Sequence, residues 1–132
     1  MFPRALSPDT DNGDAEETFY KDSEIRRSEL TPVIADAICM NVWPSTADLP
    51  ATDLVNGPAD VLIAGNMSAV SLPRHGQRPS PVPGAWPWTR PLPGAVNVVC
   101  YDGHVSLTKL DNLWGLYWTK NWIPPIRRTG LP

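Results

Sequence analysis

The chain has 132 residues, which is enough for one domain with its own core and too few for two ordinary domains. Hydrophobic residues make up 42%, which excludes wholesale disorder, and 16 prolines exclude long uninterrupted helices over much of the chain. The net charge of −3 disfavours a nucleic-acid-binding protein.

The charge is unevenly divided along the chain. Residues 1–60 hold 12 acidic and 4 basic residues, a net charge of −8, whereas residues 61–132 hold 2 and 7, a net charge of +5. The two halves can attract each other within one chain or between copies, although a solvated acidic surface is the preferred interpretation. No apolar run reaches about 18 residues, so no membrane span is predicted. The opening MFPRALSPDT also lacks the pattern of an export signal.

Residues 1–30 form a polar, acidic N-terminal segment. Asp9–Asp14 looks like a calcium-binding loop, but its glycine comes one position early and Tyr20 stands where the closing glutamate belongs. A surface loop is therefore predicted there. Residues 16–29 predict only a short helical turn, because their apolar positions form no stripe. The globular domain is expected to span residues 31–132.

The next stretch predicts strands separated by loops. Residues 32–43 (PVIADAICMNVW) indicate a buried strand followed by a turn, and Asp36 within them needs a hydrogen-bond partner if it is buried. Residues 44–60 contain Pro and Asn-Gly-Pro and are predicted to be loop. Residues 61–72 predict a second strand pair around a weak Gly-Asn turn signal.

Two cysteines, Cys39 and Cys100, stand 61 positions apart. They could form one disulfide in an oxidising compartment, or both could be buried free thiols, which is the preferred alternative. Their spacing does not match a metal site.

Residues 73–93 carry 7 of the 16 prolines together with Trp86 and Trp88. This composition excludes a helix or a central strand and predicts an extended, polyproline-like loop. The two indole rings offer stacking faces for a polysaccharide or an extended peptide. The alternative, which is preferred, is that they pin the loop to its own domain.

Residues 95–110 (AVNVVCYDGHVSLTKL) give the strongest local signal, two β-rich runs around Asp102-Gly103. A two-residue type I′ hairpin turn is predicted, which pairs Tyr101 with His104. This register places five apolar side chains on one face toward the core, and a one-residue slip would expose that face. The five are Val96, Val98, Cys100, Val105 and Leu107.

Residues 111–122 predict a helix of about two to three turns laid on the sheet, capped by Asp111 and ended by a Pro-Pro pair. A stripe of tryptophans at i, i+4 and i+8 is typical of a core or inter-subunit contact: Trp114, Trp118 and Trp122. The tail is predicted to be extended with solvated Arg127 and Arg128. The fold class is therefore α+β, a small antiparallel sheet with a C-terminal hairpin and a short helix packed on it.

Three pieces in order carry a family resemblance: PVIADAI at 32–38, Arg74-His75-Gly76, and NVVCYDGHV from Asn97 to Val105. Together they resemble the C-terminal end of bacterial type II secretion pseudopilin-like proteins. Those proteins have a prepilin-type cleavage/methylation start and a C-terminal H-X9-DG domain. The resemblance covers most of the chain, from residue 28 to residue 128.

The resemblance implies a pilin-like globular head in a non-enzymatic structural subunit without cofactors. Its partners would be other pilin-like subunits or secretion-system proteins, in the cell envelope or an extracytoplasmic compartment. Two departures are visible. The hydrophobic N-terminal helix and its processing site are missing, which implies a head alone or a truncated gene. The position of the family histidine is occupied by Leu92 here. The nearest histidine, His75, is separated from Asp102 by 26 residues instead of the nine in the H-X9-DG pattern, and an insertion of 17 residues would explain the difference.

His75, Asp102 and His104 are the candidate catalytic or metal-binding cluster. The sequence shows no G-x-S-x-G, no phosphate-binding glycine loop and no Cys–His pair at a known spacing. Three hypotheses follow: a structural pseudopilin-like subunit, a binding module using Trp86 and Trp88, and a small metal-dependent hydrolase. The first, a non-enzyme, is preferred.

Overall fold

The structure is a computed structural model that describes residues 2–3, 18–39, 41–59 and 66–132. The predicted loop at Asp9–Asp14 lies outside these residues. The strands are β1 (Phe2–Pro3), β2 (Pro32–Ala35), β3 (Asn41–Val42), β4 (Ala95–Cys100) and β5 (Val105–Lys109). The helices within the described ranges are α1 (Met67–Val70) and the 3₁₀ helices Asp22–Glu24, Ser28–Leu30 and Leu110–Gly115.

The central feature is a three-stranded antiparallel sheet in the order β2-β4-β5, and β1 pairs separately with β3 in parallel. The valine-rich β4 is the middle strand, where branched side chains pack well on a pleated surface. The sheet and the few short helices confirm the predicted α+β class. They also confirm a strand at the start of residues 32–43, but Ile34 within it is 40% exposed, so the prediction that the whole strand is buried was wrong.

The core lies on one face of the sheet, under the 3₁₀ helix Leu110–Gly115 and α1. Val96, Val98 and the Cys100 thiol point into it from β4, and Cys39 is a half-buried thiol beside it. Full burial of each large aliphatic side chain contributes about 1.5–3 kcal/mol. The largest core side chains come from outside the sheet: Met67, Leu110, Leu113, Trp114 and Trp118.

The hairpin turn is one residue longer than predicted. Cys100 N–H donates to the His104 carbonyl over 2.9 Å, and Gly103 N–H donates to the Cys100 carbonyl over 2.9 Å. Gly103 has φ +90°, and no non-glycine residue in the described ranges has positive φ. The loop is therefore Tyr101-Asp102-Gly103, a type I turn closed by a glycine bulge. A type I′ turn would also need positive φ at Asp102, which costs about 1–2 kcal/mol outside glycine.

The longer turn shifts the strand register by one residue. Asn97 pairs with Leu107, and Val99 pairs with Val105. Because paired residues share a face, the side chains of β5 are turned away from their predicted side. Val105 is 63% exposed and Leu107 is 59% exposed, so the prediction that both face the core was wrong.

The predicted strand pair at residues 61–72 was wrong for its described part, because Met67–Val70 is helical. The Asn66 side chain accepts a hydrogen bond from Ser68 N–H over 3.0 Å. This N-cap satisfies a backbone donor at the start of the helix. Asn66 therefore marks the beginning of a helix and not the turn of a hairpin. Residues 60–65 lie outside the described ranges.

The predicted helix over residues 111–122 ends early, at Gly115. The indole Nε1–H of Trp118 donates to the Leu113 carbonyl over 2.8 Å, and that of Trp122 donates to the Trp114 carbonyl over 2.9 Å. The Trp114 carbonyl at the helix end thus gains an indole donor, while the Leu113 carbonyl accepts both the Trp118 indole and Leu116 N–H, over 3.2 Å. The helix beyond Gly115 was wrong, while the burial of all three tryptophans was correct.

Asp111 and Arg128 also differ from their predicted roles. Asp111 lies inside the first helical turn and not at its cap; its carboxylate accepts Leu92 N–H over 3.0 Å and pairs with Arg128. Arg128 is only 3% exposed, so its predicted solvation was wrong. Its other donors reach the carbonyls of Trp88, over 2.8 Å, and Arg90, over 2.6 Å, which compensates the loss of water.

Residues 44–59 and 73–93 contain no helix and no strand, as their prolines predicted. One isolated backbone bridge, between His75 and Ala95, attaches the second loop to the end of β4. Among the described residues, no helix combines the length and the apolar content that crossing a membrane requires.

Candidate functional site

The Asp102-Gly103-His104 motif forms the exposed tip of the hairpin. The Asp102 carboxylate accepts His104 N–H over 3.1 Å and lies 2.6 Å from His104 Nδ1. The side-chain hydrogen bond from His104, followed by the backbone one, lowers the pKa of the Asp102 carboxyl. An Asp that bonds the N–H two residues on is a common turn device. The motif therefore closes the turn.

His75 lies at the opposite end of β4 from this motif. Its N–H donates to the Ala95 carbonyl over 2.9 Å, at the first residue of the strand, whereas the turn follows the last. Five residue steps of a strand separate these ends by about 17 Å. The structure thus does not bring His75 to Asp102 and His104. Across the described residues, no group of three or more His, Cys, Asp or Glu could hold a metal ion.

His75 and Asp36 form a separate pair at the end of the sheet. The His75 Nε2 atom lies 3.0 Å from an oxygen of Asp36. Asp36 also accepts Asn97 N–H over 2.9 Å, and its own N–H donates to the Asn97 carbonyl over 3.1 Å. Asp36 is only partly buried, so the predicted need for a partner did not strictly apply, yet partners are present and the carboxylate extends the pairing of β2 with β4.

Trp86 is held against the domain, whereas Trp88 is more exposed. Trp86 N–H donates to the Thr52 carbonyl over 2.6 Å, and the Arg90 guanidinium lies 4.4 Å from the Trp86 ring centre. The Trp86 Nε1–H is buried without an acceptor in the part of the chain that the structure describes. Trp88 is 44% exposed beside it. A cavity of about 510 Å³ lies between Thr52 and residues 84–89.

The outer sheet face, which we define as Ile34, Val99, Val105 and Leu107, is an apolar surface on the side away from the core. Ile34 pairs with Val99, and Val99 with Val105, so these side chains lie next to each other across the three strands. Contiguous apolar surface on a sheet is typical of a contact site. The sequence did not predict this surface, because a two-residue turn was assumed and that turn places Val105 and Leu107 on the core side. A three-residue loop that ends in glycine fits the same residues and places them outside.

A groove of about 500 Å³ follows the other side of β5. Ser106 and Thr108 line its floor, and their hydroxyl groups lie 3.0 Å apart. Glu29 lies at the turn end, since the neighbouring Ser28 carbonyl accepts Asp102 N–H, and Lys109 lies at the far end. Each end of the groove thus carries a charge of a different sign.

Comparison with known proteins finds no matching family model, no similar curated protein and no similar solved structure.

Proposed function

We propose that this protein is a non-enzymatic structural subunit, the globular head of a pseudopilin-like protein of a type II secretion or pilus-type system. The observation that carries the proposal is the outer sheet face, because a rigid sheet with an apolar surface suits contact with another protein. The order of the three sequence pieces that resemble the family supports the same assignment.

Under this proposal the Asp102-Gly103-His104 motif serves folding. The carboxylate bonds to His104 inside its own turn, and Gly103 provides the positive φ that the bulge requires. A motif with these tasks sets the direction and register of β5. It thereby determines which side chains the head presents to a neighbouring subunit, without a chemical step at the turn.

The native gene product tests the proposal. A C-terminal tag at the native locus should give a product that is longer than a tagged control expressed from Met1. The difference should contain an apolar helix of about 20 residues, encoded directly after a prepilin-type processing site, and the product should fractionate with the cell envelope. A product of the same mass as the control would refute the pseudopilin-like assignment.

We propose one alternative function, a binding module at the Trp86–Trp88 cavity. The exposed Trp88 ring beside the cavity offers a stacking face for a sugar ring or a proline-rich peptide. Tryptophan fluorescence titrated with glycans and proline-rich peptides should then change in the wild type and in Trp43→Ala, but not in Trp88→Ala. An unchanged spectrum across the whole panel would remove this alternative.

A further inference from the structure

The outer edge of β5 presents unpaired backbone groups. The hydrogen bond from Cys100 N–H to the His104 carbonyl sets the alternation along the hairpin, so Ser106 and Thr108 bond to β4. The N–H and C=O groups of the alternating residues Val105, Leu107 and Lys109 therefore point away from the sheet. β5 is the last strand of the sheet, and no other strand in the described ranges pairs with this edge.

The composition of this edge lacks most of the devices that protect edge strands. Edges are usually blunted by proline, by a bulge, or by several charged side chains. β5 reads Val-Ser-Leu-Thr-Lys and carries one charge, at its last residue. Its two apolar side chains, Val105 and Leu107, are both more than half exposed. Such a strand is a template for pairing with another strand.

We propose that β5 pairs with β5 of a second copy of this chain, antiparallel, about a two-fold axis at Leu107. Val105, Leu107 and Lys109 have outward backbone groups at alternate positions, so centring on Leu107 matches every outward donor with an acceptor. Leu107 then lies opposite Leu107 of the second copy, and Val105 lies opposite its Lys109. Six backbone hydrogen bonds join two three-stranded sheets into one of six strands.

Charge complementarity selects a second copy as the occupant. The groove beside β5 has Glu29 at the turn end and Lys109 at the other end. The two-fold axis turns one copy end for end, so Lys109 of each copy approaches the Glu29 end of the other. Asp102 at the hairpin tip adds a second negative charge there, while Arg27 binds one oxygen of Glu29. Lys109 also covers Val105 of the second copy with its aliphatic stem.

This interface rests on the sheet edge and goes beyond the pseudopilin-like proposal, which can fail without affecting it. Light scattering after size-exclusion chromatography should give the purified full chain twice the 14.5 kDa monomer mass. Leu107→Lys should lose the dimer, because it places two like charges opposite each other at the axis. The matched control is Ile126→Lys, which adds the same charge at a fully exposed position away from β5 and should remain dimeric.

Circular dichroism and thermal melting should show Leu107→Lys to be folded, since the wild-type side chain is already mostly in solvent. A wild type that is monomeric at every concentration would overturn the proposal. Loss of the dimer in Ile126→Lys alone, with Leu107→Lys still dimeric, would do the same.

The register is tested by a mixed disulfide. The proposed axis places Ser106 opposite Thr108 of the second copy in a non-hydrogen-bonded pair, with Cα atoms about 4.5 Å apart. That distance suits a disulfide. A mixture of Ser106→Cys and Thr108→Cys chains should therefore oxidise to a covalent heterodimer, whereas neither variant alone should cross-link. Cross-linking of each variant alone, or none in the mixture, would overturn this register.

Discussion

At the scale of single residues, the hairpin tip shows how two neighbours divide one task. Gly103 takes the left-handed conformation at φ +90°, so Asp102 can stay at negative φ and use its carboxylate as an acceptor. That carboxylate bonds to both the backbone and the ring of His104. The side chains of this motif resemble a cluster of catalytic groups, but their hydrogen bonds are used within the turn itself.

The Asp102 pair predicts a dependence of stability on acid. Because the hydrogen bonds from His104 lower the pKa of Asp102 in the folded state, their contribution is present above its ordinary value of 3.8 and is lost as the pH falls through the folded pKa. Asp102→Asn keeps an acceptor but does not titrate. The stability advantage of the wild type over Asp102→Asn, measured by urea unfolding, should therefore shrink below about pH 4. A constant difference from pH 7 to pH 2 would contradict this account.

At the scale of elements, turn length determines which face of β5 meets solvent. The extra loop residue moves the pairing by one position and turns Val105 and Leu107 outward, while Ser106 and Thr108 line the groove on the core side. β4 keeps its predicted orientation, since Val96 and Val98 are fully buried. The apolar pattern of β4 therefore determines its own orientation, but the turn determines that of its neighbour.

Gly103→Ala should destabilise the hairpin by about 1 kcal/mol, because alanine at positive φ is strained. A Cβ there meets no heavy atom within 4 Å, so the cost is conformational and not steric. The control is Gly115→Ala, which is equally open but has no positive φ, and it should be neutral or slightly stabilising. Equal urea midpoints for Gly103→Ala and the wild type would refute the bulge.

At the scale of the whole molecule, one buried ion pair joins three distant parts of the chain. Arg128, near the C-terminus, pairs with Asp111 in the 3₁₀ helix and binds the carbonyls of Trp88 and Arg90 in the proline-rich loop. A loop with many prolines forms few backbone bonds of its own. The C-terminal tail therefore holds this loop on the domain at Trp88 and Arg90.

Arg128→Met should destabilise the protein by about 3–5 kcal/mol, because it leaves the Asp111 carboxylate without its cation and two carbonyls without donors. Arg127→Met is the matched control, since the neighbouring Arg127 is exposed, and it should change stability by less than about 0.5 kcal/mol. Urea unfolding followed by tryptophan fluorescence measures both. Similar losses in the two variants would show that Arg128 does not hold the loop.

The sequence by itself determined the features that depend on local chemistry. Proline excluded a helix or a central strand from residues 73–93, and β-rich runs around Asp102-Gly103 predicted a hairpin. Each of these follows from steric rules or hydrophobicity within a few residues, and neighbours far along the chain do not alter it.

Only the tertiary structure decided two kinds of feature. One is a choice between two local conformations of similar energy, and the other is a contact between residues far apart in the chain. The choice between a two-residue and a three-residue turn decided the outer sheet face. The partner of Arg128 lies 17 positions away along the chain. His75 pairs with Ala95, at the end of β4 that is far from the hairpin turn. Such choices depend on which buried groups find partners across the fold, and short-range sequence patterns contain no record of those partners.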